Sequence, residues 1–244
     1  ALQQFFLGNS KSTRLEVVVG AVFLLFWCFV IGMVVISMTI NLDQALLTKY
    51  GYSMLKGFSM TIGIVVLTVP LGFFLGLPIA FARLSRKKLI RGAAYCYVYL
   101  FRGTPLLVQL FLVYYGSGQI RPTLETWGLW WFFREPFYCV AFAFTLNTAA
   151  YQGEILKGAI LSVPRGQIEA AKSLGISPLV TFYKVVTPQG LVLALRPLGN
   201  ELILMVKSSA LASIVTIFDL MGATKLAFSR SYNFDVYLWA AIIY

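Results

Sequence analysis

An apolar run from residue 17 to residue 40, VVVGAVFLLFWCFVIGMVVISMTI, contains no Lys, Arg, Asp or Glu. At about 1.5 Å of rise per residue it is long enough for one helix to cross a hydrocarbon core of about 30 Å. Four further runs are predicted to span in the same way, at residues 57–82, 92–116, 136–153 and 189–206. Each carries an interruption: Pro70 and Pro78 in the first, then Arg102, Asn147 and Glu201 in turn. A sixth run opens near Tyr237 and reaches Tyr244 after YLWAAIIY, too short to cross. This last helix is therefore expected to be truncated, and the missing Met at position 1 suggests trimming. A cleaved signal peptide is the competing reading of 17–40, but such a segment has an apolar stretch of only about 7–15 residues and a small-residue cleavage site. The pattern predicts an all-α, polytopic membrane protein.

Composition agrees. Hydrophobic residues make up 59% of the chain and charged residues 12%, against roughly half and a quarter in a soluble domain. The loop RLSRKKLIR, residues 83–91, holds Arg83, Arg86, Lys87, Lys88 and Arg91 without an acid, and is predicted to be cytoplasmic. Counting spans from it puts the N-terminal tail (1–16) inside, 41–56 and 117–135 outside, and 154–188 inside. The tail agrees through Lys11 and Arg14 against Glu16, while the 117–135 loop balances Arg121 and Arg134 with Glu125 and Glu135. Loops of this kind account for most of the net charge of +11, so the bilayer, not nucleic acid, is the expected partner of these charges. Cys28, Cys96 and Cys139 are scattered through the spans without C-x-x-C spacing and read as packing residues.

The absence of histidine excludes the usual general base, the Ser-His-Asp arrangement and most metal-hydrolase patterns. The nearest approach to a phosphate loop, Gly166-Gln-Ile-Glu-Ala-Ala-Lys172-Ser173, has Ala171 where the second glycine belongs and follows a span end, not a buried strand. If ATP drives this protein, another chain binds it.

Polar residues recur at one depth. Arg102 lies about ten residues past the basic loop, roughly 15 Å along its helix, and Asn147, Asn200 and Glu201 come out at comparable depth on two other spans. One reading is structural, with Arg102 and Glu201 as an ion bridge and the two asparagines bonding across helices. The other is a solute pathway, because ionised groups at this depth are costly and mark routes for polar cargo. Arg102-Gly103-Thr104-Pro105 favours the second, since a helix broken at mid-depth is tolerated where it lines a cavity or is covered by protein.

The polar stretch EAAKSLGISP, residues 169–178, reads on its own as a surface helix stopped by Gly175, with Pro178 starting another. It belongs to a longer pattern: Glu169-Ala170-Ala171, three residues, Gly175, nine residues, then Val185-x-Thr187-Pro188. This resembles the EAA loop of permease subunits of type I ABC importers, with Val185 and Thr187 where Ile and Leu are commoner. FRGTPLLVQL (101–110), FTLNTAAYQGEILKGAILSVPRGQIEAA (144–171) and NELILMVKSSALAS (200–213) resemble the polar amino acid subfamily, for histidine, glutamate, glutamine, arginine and opines. FTLNTAAY and MVKSSALA lean towards the permeases of basic amino acids and opines.

The resemblance covers about residues 53–244 and implies a five-helix permease core, so 17–40 is an additional anchor helix. It implies that loop 164–188 is the coupling helix, with Glu169, Ala170, Ala171, Gly175 and Pro188 contacting an ATPase subunit. Arg102, Thr104, Asn147, Asn200 and Glu201 are the expected solute pathway. The implied partners are two ATPase subunits that bind ATP and Mg, a second, homologous but different permease chain, and an extracytoplasmic solute-binding protein. The chain itself is expected to hold no cofactor and no metal and to act as a transport subunit of the bacterial inner membrane. The alternatives are an ATP-independent carrier or channel, whose paired intramembrane acids are missing apart from Glu201, and an anchor that recruits a partner through 154–188.

Overall fold

The structure, a computed structural model, describes residues 14–40 and 44–244. The tail charge Lys11 lies outside the described residues. Helix α1 (Arg14–Ile40) covers the stretch predicted as the first span; its apolar part Val17–Met33 is shorter than the spanning helices described below, and its residues are exposed except Val30 and Gly32, which are half-buried.

Helix α2 runs unbroken from Gln44 to Leu84, so it begins at 44 and not at 57, and most of the predicted 41–56 loop is helical. Hydropathy missed this turn because Lys49 and Lys56 dilute it. Its face of Leu46, Tyr50 and Met54 nonetheless packs on two helices near the end of the chain, α11 (Leu220–Ser231) and α12 (Asp235–Ile243), against Leu220, Ala223, Ala227, Val236 and Ala240. At 41 residues α2 is about 60 Å long, well beyond a hydrocarbon core.

The predicted 92–116 span is two helices, α3 (Lys88–Gly103) and α4 (Leu106–Gln119), bent by 100°. Two short helices follow, α5 (Arg121–Thr126) and α6 (Trp130–Phe133), in what reads as a loop by hydropathy. The central helix α7 (Pro136–Leu161) extends eight residues beyond the predicted end at 153. Leu46–Leu84 and Pro178–Val215 are each long and apolar enough to cross a membrane, and the bent α3–α4 pair makes a third. Helix α7 is long enough but less apolar, since Asn147, Thr148 and Gln152 occupy its middle. All three are buried, covered by neighbouring helices.

Close approach of α2 and α7 explains how that cover is achieved. A Cβ added at Gly76 would stand 3.1 Å from Gly153 N and 3.2 Å from Ala149 O, and one at Gly72 would stand 2.2 Å from Thr148 Cγ2. Gly72 and Gly76 on one helix face Ala149 and Gly153 on the other, the small-x-x-x-small spacing that lets backbones meet in an apolar medium.

Helix α8 (Arg165–Ser173) and the one-turn α9 (Pro178–Thr181) lead into a π-helical turn, Phe182–Val186, and then α10 (Thr187–Ser208), which ends in a 3₁₀ turn, Ser209–Val215. Pro188 explains the π turn. In a continuous α-helix its ring would strike the carbonyl of Lys184, and one inserted residue moves that carbonyl away. The rings of Phe81 and Phe182, 5.7 Å apart, place the 164–188 segment beside the basic loop, at what we term the basic end of the bundle.

Candidate functional site

The break between α3 and α4 has a definite cause. Pro105 lacks an N–H, so the carbonyl of Phe101, four residues earlier, loses its helical partner. Two amides take its place: Gln109 Nε2 donates to Phe101 O at 2.8 Å and Asn147 Nδ2 donates to it at 3.2 Å. Asn147 Nδ2 also donates to Gln109 Oε1 at 2.9 Å, and Gln109 Nε2 lies 2.8 Å from Thr104 Oγ1. Thr104 Oγ1 donates to Leu100 O at 2.7 Å. The polar ends of the broken helix are thus closed by a small network joining α3, α4 and α7.

Against this elbow lies a cavity of about 430 Å³, lined by Arg102, Thr104, Asn147, Tyr151, Glu201 and Ser208 among others. Glu201 is 6% exposed, and its Oε1 accepts from Thr148 Oγ1 at 3.0 Å. The Arg102 guanidinium stands 5.1 Å from the centre of the Tyr151 ring, a cation–π contact. The Arg102–Glu201 ion bridge considered from the sequence is not formed, and among the described residues no carboxylate lies at ion-pair distance from Arg102. Both charges instead face one cavity. Asn200 does not: it is exposed and does not line the cavity, because consecutive positions on a helix diverge by about 100° and Glu201 already points inward.

The cavity continues towards the basic end. Asn147, Tyr151 and Glu154, at i, i+4 and i+7, lie on one face of α7, and Tyr95, Tyr99 and Arg102 repeat that spacing on α3. A second cavity of about 380 Å³ shares Arg102 and Gly103 with the first and reaches Arg83, Tyr95 and Glu154. The two form a corridor from mid-bundle to the basic end that carries charged and aromatic side chains in a largely apolar lining. Sequence reading missed Gln109, Thr148 and Tyr151. Gln109 had a signal, an amide one helical turn after a proline in an otherwise apolar run, and Tyr151 had one in its i+4 spacing from Asn147.

The 164–188 segment is built as a short rod. Gly175 has φ +71°, the left-handed conformation expected from the sequence, and Gly175 N–H donates to Lys172 O at 3.0 Å while Ile176 N–H donates to Ala171 O at 3.0 Å. That pair of bonds is a Schellman cap. Ser177 then caps α9 by accepting from Val180 N. Ala171 is buried, whereas Glu169, Ala170 and Pro188 are exposed, as are the apolar side chains of Ile168, Leu174 and Leu179. Glu169 is the fifth residue of α8, beyond the first turn in which the helix dipole acts. Its carboxylate is available to a partner surface.

Helices of spanning length, a central helix with a buried polar middle, and a cavity carrying both charges at a broken helix define a membrane permease. The chain belongs to the family of binding-protein-dependent transport system inner membrane components, whose family model matches residues 69–244. It is 42% identical over 204 residues to the nopaline transport system permease protein of Agrobacterium fabrum, covering 83% of this chain and 85% of that one. It is 38% identical over 202 residues to the histidine/lysine/arginine/ornithine transport system permease protein of Escherichia coli, covering 82% and 84%. An amino acid ABC transporter solved with histidines superposes with a TM-score of 0.73 at 35% identity over 83% of this chain and 90% of the other. The chain is therefore a multi-pass membrane permease subunit of an ATP-driven importer, a transport component and not an enzyme.

Proposed function

We propose that this permease carries basic amino acids or opines inward, with the Arg102–Glu201 cavity as its solute site. The observation that carries this reading is that a buried carboxylate and a guanidinium with no carboxylate at ion-pair distance among the described residues line one cavity of about 430 Å³ at a broken helix. An α-amino acid is a zwitterion, and this cavity offers a counter-charge to each end: Arg102 to the carboxylate, Glu201 to the amino group. Asn147 and Thr104 hold the elbow in shape, and Asn200 lies on the outer face of α10. The relatives named for nopaline, octopine, arginine and histidine/lysine/arginine/ornithine transport support the same class.

The basic end faces the cytoplasm and the N-terminal tail lies on that side, in keeping with the five basic residues of 83–91. Residues 17–40 form an anchor outside a permease core that begins near 53. The α8 rod, with Glu169, Ala170, Ala171 and Gly175, docks on one of two ATPase subunits, where ATP and Mg bind, and Pro188 sets the π turn that joins the rod to α10. A homologous but different permease chain completes the pathway, and an extracytoplasmic binding protein delivers the solute.

The test is solute-stimulated ATPase activity of the purified complex with its binding protein, using L-arginine, L-lysine, L-histidine, octopine and nopaline in turn. Stimulation by none of them sinks the solute class. With a solute that does stimulate, Glu201→Gln weakens uptake about tenfold or more, as loss of a charge-assisted contact of roughly 1.5–3 kcal/mol requires. Unchanged uptake kinetics in a normally assembled Glu201→Gln complex remove Glu201 from the site.

A further inference from the structure

The lower corridor holds an arrangement that the central cavity does not account for. Arg83, in the last turn of α2, donates from Nε to Glu154 Oε2 at 3.1 Å and from Nη2 to Oε1 at 3.5 Å. Its guanidinium carbon lies 4.9 Å from the centre of the Tyr95 ring, and Tyr95 stacks with Tyr99 at 6.0 Å and 17°. A carboxylate that accepts a two-pronged donor, beside the face of an aromatic ring, is what a guanidinium binds. That place is now filled by a side chain of the protein itself.

We propose that Glu154 and Tyr95 form a second station for the guanidinium end of the solute on its way out, and that Arg83 is a tethered occupant which the solute displaces. The inference rests on the reading that basic amino acids or opines are the cargo. Arginine, octopine and nopaline all carry a guanidino group, so one station serves all three.

Three features support exchange over a fixed bridge. The cavity beside the pair, about 380 Å³, adjoins the central one through Arg102 and Gly103, so a solute leaving Arg102 passes Glu154 next. The side chains of Arg83 and Glu154 keep 12% and 25% of their area accessible and both line the second cavity, so the pair is largely buried yet borders the corridor. Glu154 Oε1 also accepts from Lys157 Nζ at 2.6 Å, so the carboxylate keeps a cationic partner when Arg83 leaves. The Glu154 carboxylate is therefore not stranded by the exchange.

The experiment compares uptake of L-arginine and L-histidine at pH 8, where the histidine side chain is neutral, by the complete complex in proteoliposomes with its binding protein. Glu154→Gln is expected to lower maximal L-arginine uptake about tenfold, the size of one charge-assisted bond, and L-histidine uptake less than about twofold. Arg83→Gln, which removes the competing occupant and keeps Glu154, is expected to lower the KM for L-arginine and leave that for L-histidine in place. If Arg83 and Glu154 only brace the fold, both variants depress both solutes equally, and the exchanged pair Arg83→Glu with Glu154→Arg restores them. Either of those results overturns the station. A wild-type complex that takes up neither solute overturns the reading of the cargo, and the station with it.

Discussion

Asn147 reaches from the central helix to donate its side-chain amide to the Phe101 carbonyl at 3.2 Å, occupying the position that Pro105 leaves open in the helix. A residue chosen from the sequence for its depth thus holds the elbow from which Arg102 faces the cavity.

The elbow network predicts non-additive damage. Gln109 serves Phe101 O and Thr104 on one side and accepts from Asn147 on the other, so Gln109→Leu unpairs more groups than Asn147→Leu. Interhelical hydrogen bonds in membranes average about 0.6 kcal/mol and reach about 1.7. Unfolding of the purified complex in graded denaturing detergent is expected to show Gln109→Leu as the costlier change, with the double variant losing less than the two singles combined. Strict additivity means the two amides do not act together.

Packing and solute binding meet at Thr148. A Cβ at Gly72 would collide with Thr148 Cγ2 at 2.2 Å, and the same threonine holds Glu201 through its hydroxyl at 3.0 Å. Gly72→Ala is therefore expected to cost about 1–3 kcal/mol of stability by overpacking and to weaken solute uptake as well. Thr148→Ser removes the offending methyl and keeps the hydroxyl, so it is expected to rescue Gly72→Ala in both assays. Failure of that rescue, with both proteins assembled, disconnects the packing from the site.

Topology is open to a labelling test. In a cysteine-free background, single cysteines at Ser85 and Ser177 are expected to be shielded from an impermeant thiol reagent added outside, while one at Thr123 reacts. Labelling of Ser85 from outside reverses the orientation of the basic end.

The spans were legible because an apolar run of bilayer length has few other uses, and the coupling rod because Gly175 and Pro178 punctuate it. What the sequence concealed follows from averaging. Lys49 and Lys56 hid the first turns of α2, whose opposite face is packed on α11 and α12. Arg83 counted only as one of five orienting charges, yet it turns into the bundle to meet Glu154. Asn200 and Glu201 look equivalent by depth, and only the helix rotation separates the buried carboxylate from the exposed amide. Depth is a one-dimensional property, whereas a site needs the angular one too.

The coupling rod gives the sharpest test, because Gly175 isolates backbone conformation from packing. Its φ is +71°, and a Cβ built there meets no atom within 4 Å, so a substitution is opposed by conformation alone within this chain. That opposition is roughly 1–2 kcal/mol for an ordinary residue in the left-handed region and greater for a β-branched one, while Asn accepts the conformation. Gly175→Val is expected to unwind the Schellman cap and re-aim α8, leaving abundance in the membrane near normal while the ATPase subunits are lost on purification or hydrolyse ATP without regard to solute. Gly175→Asn is expected to keep both the cap and coupled transport. Glu169→Lys, which reverses a charge on the exposed face without touching the cap, is expected to resemble Gly175→Val in coupling but not in any change of helix content in the segment. Should Val at 175 and Lys at 169 both transport at the wild-type rate, the rod is a solvated surface helix, and the force of ATP hydrolysis must enter the bundle elsewhere.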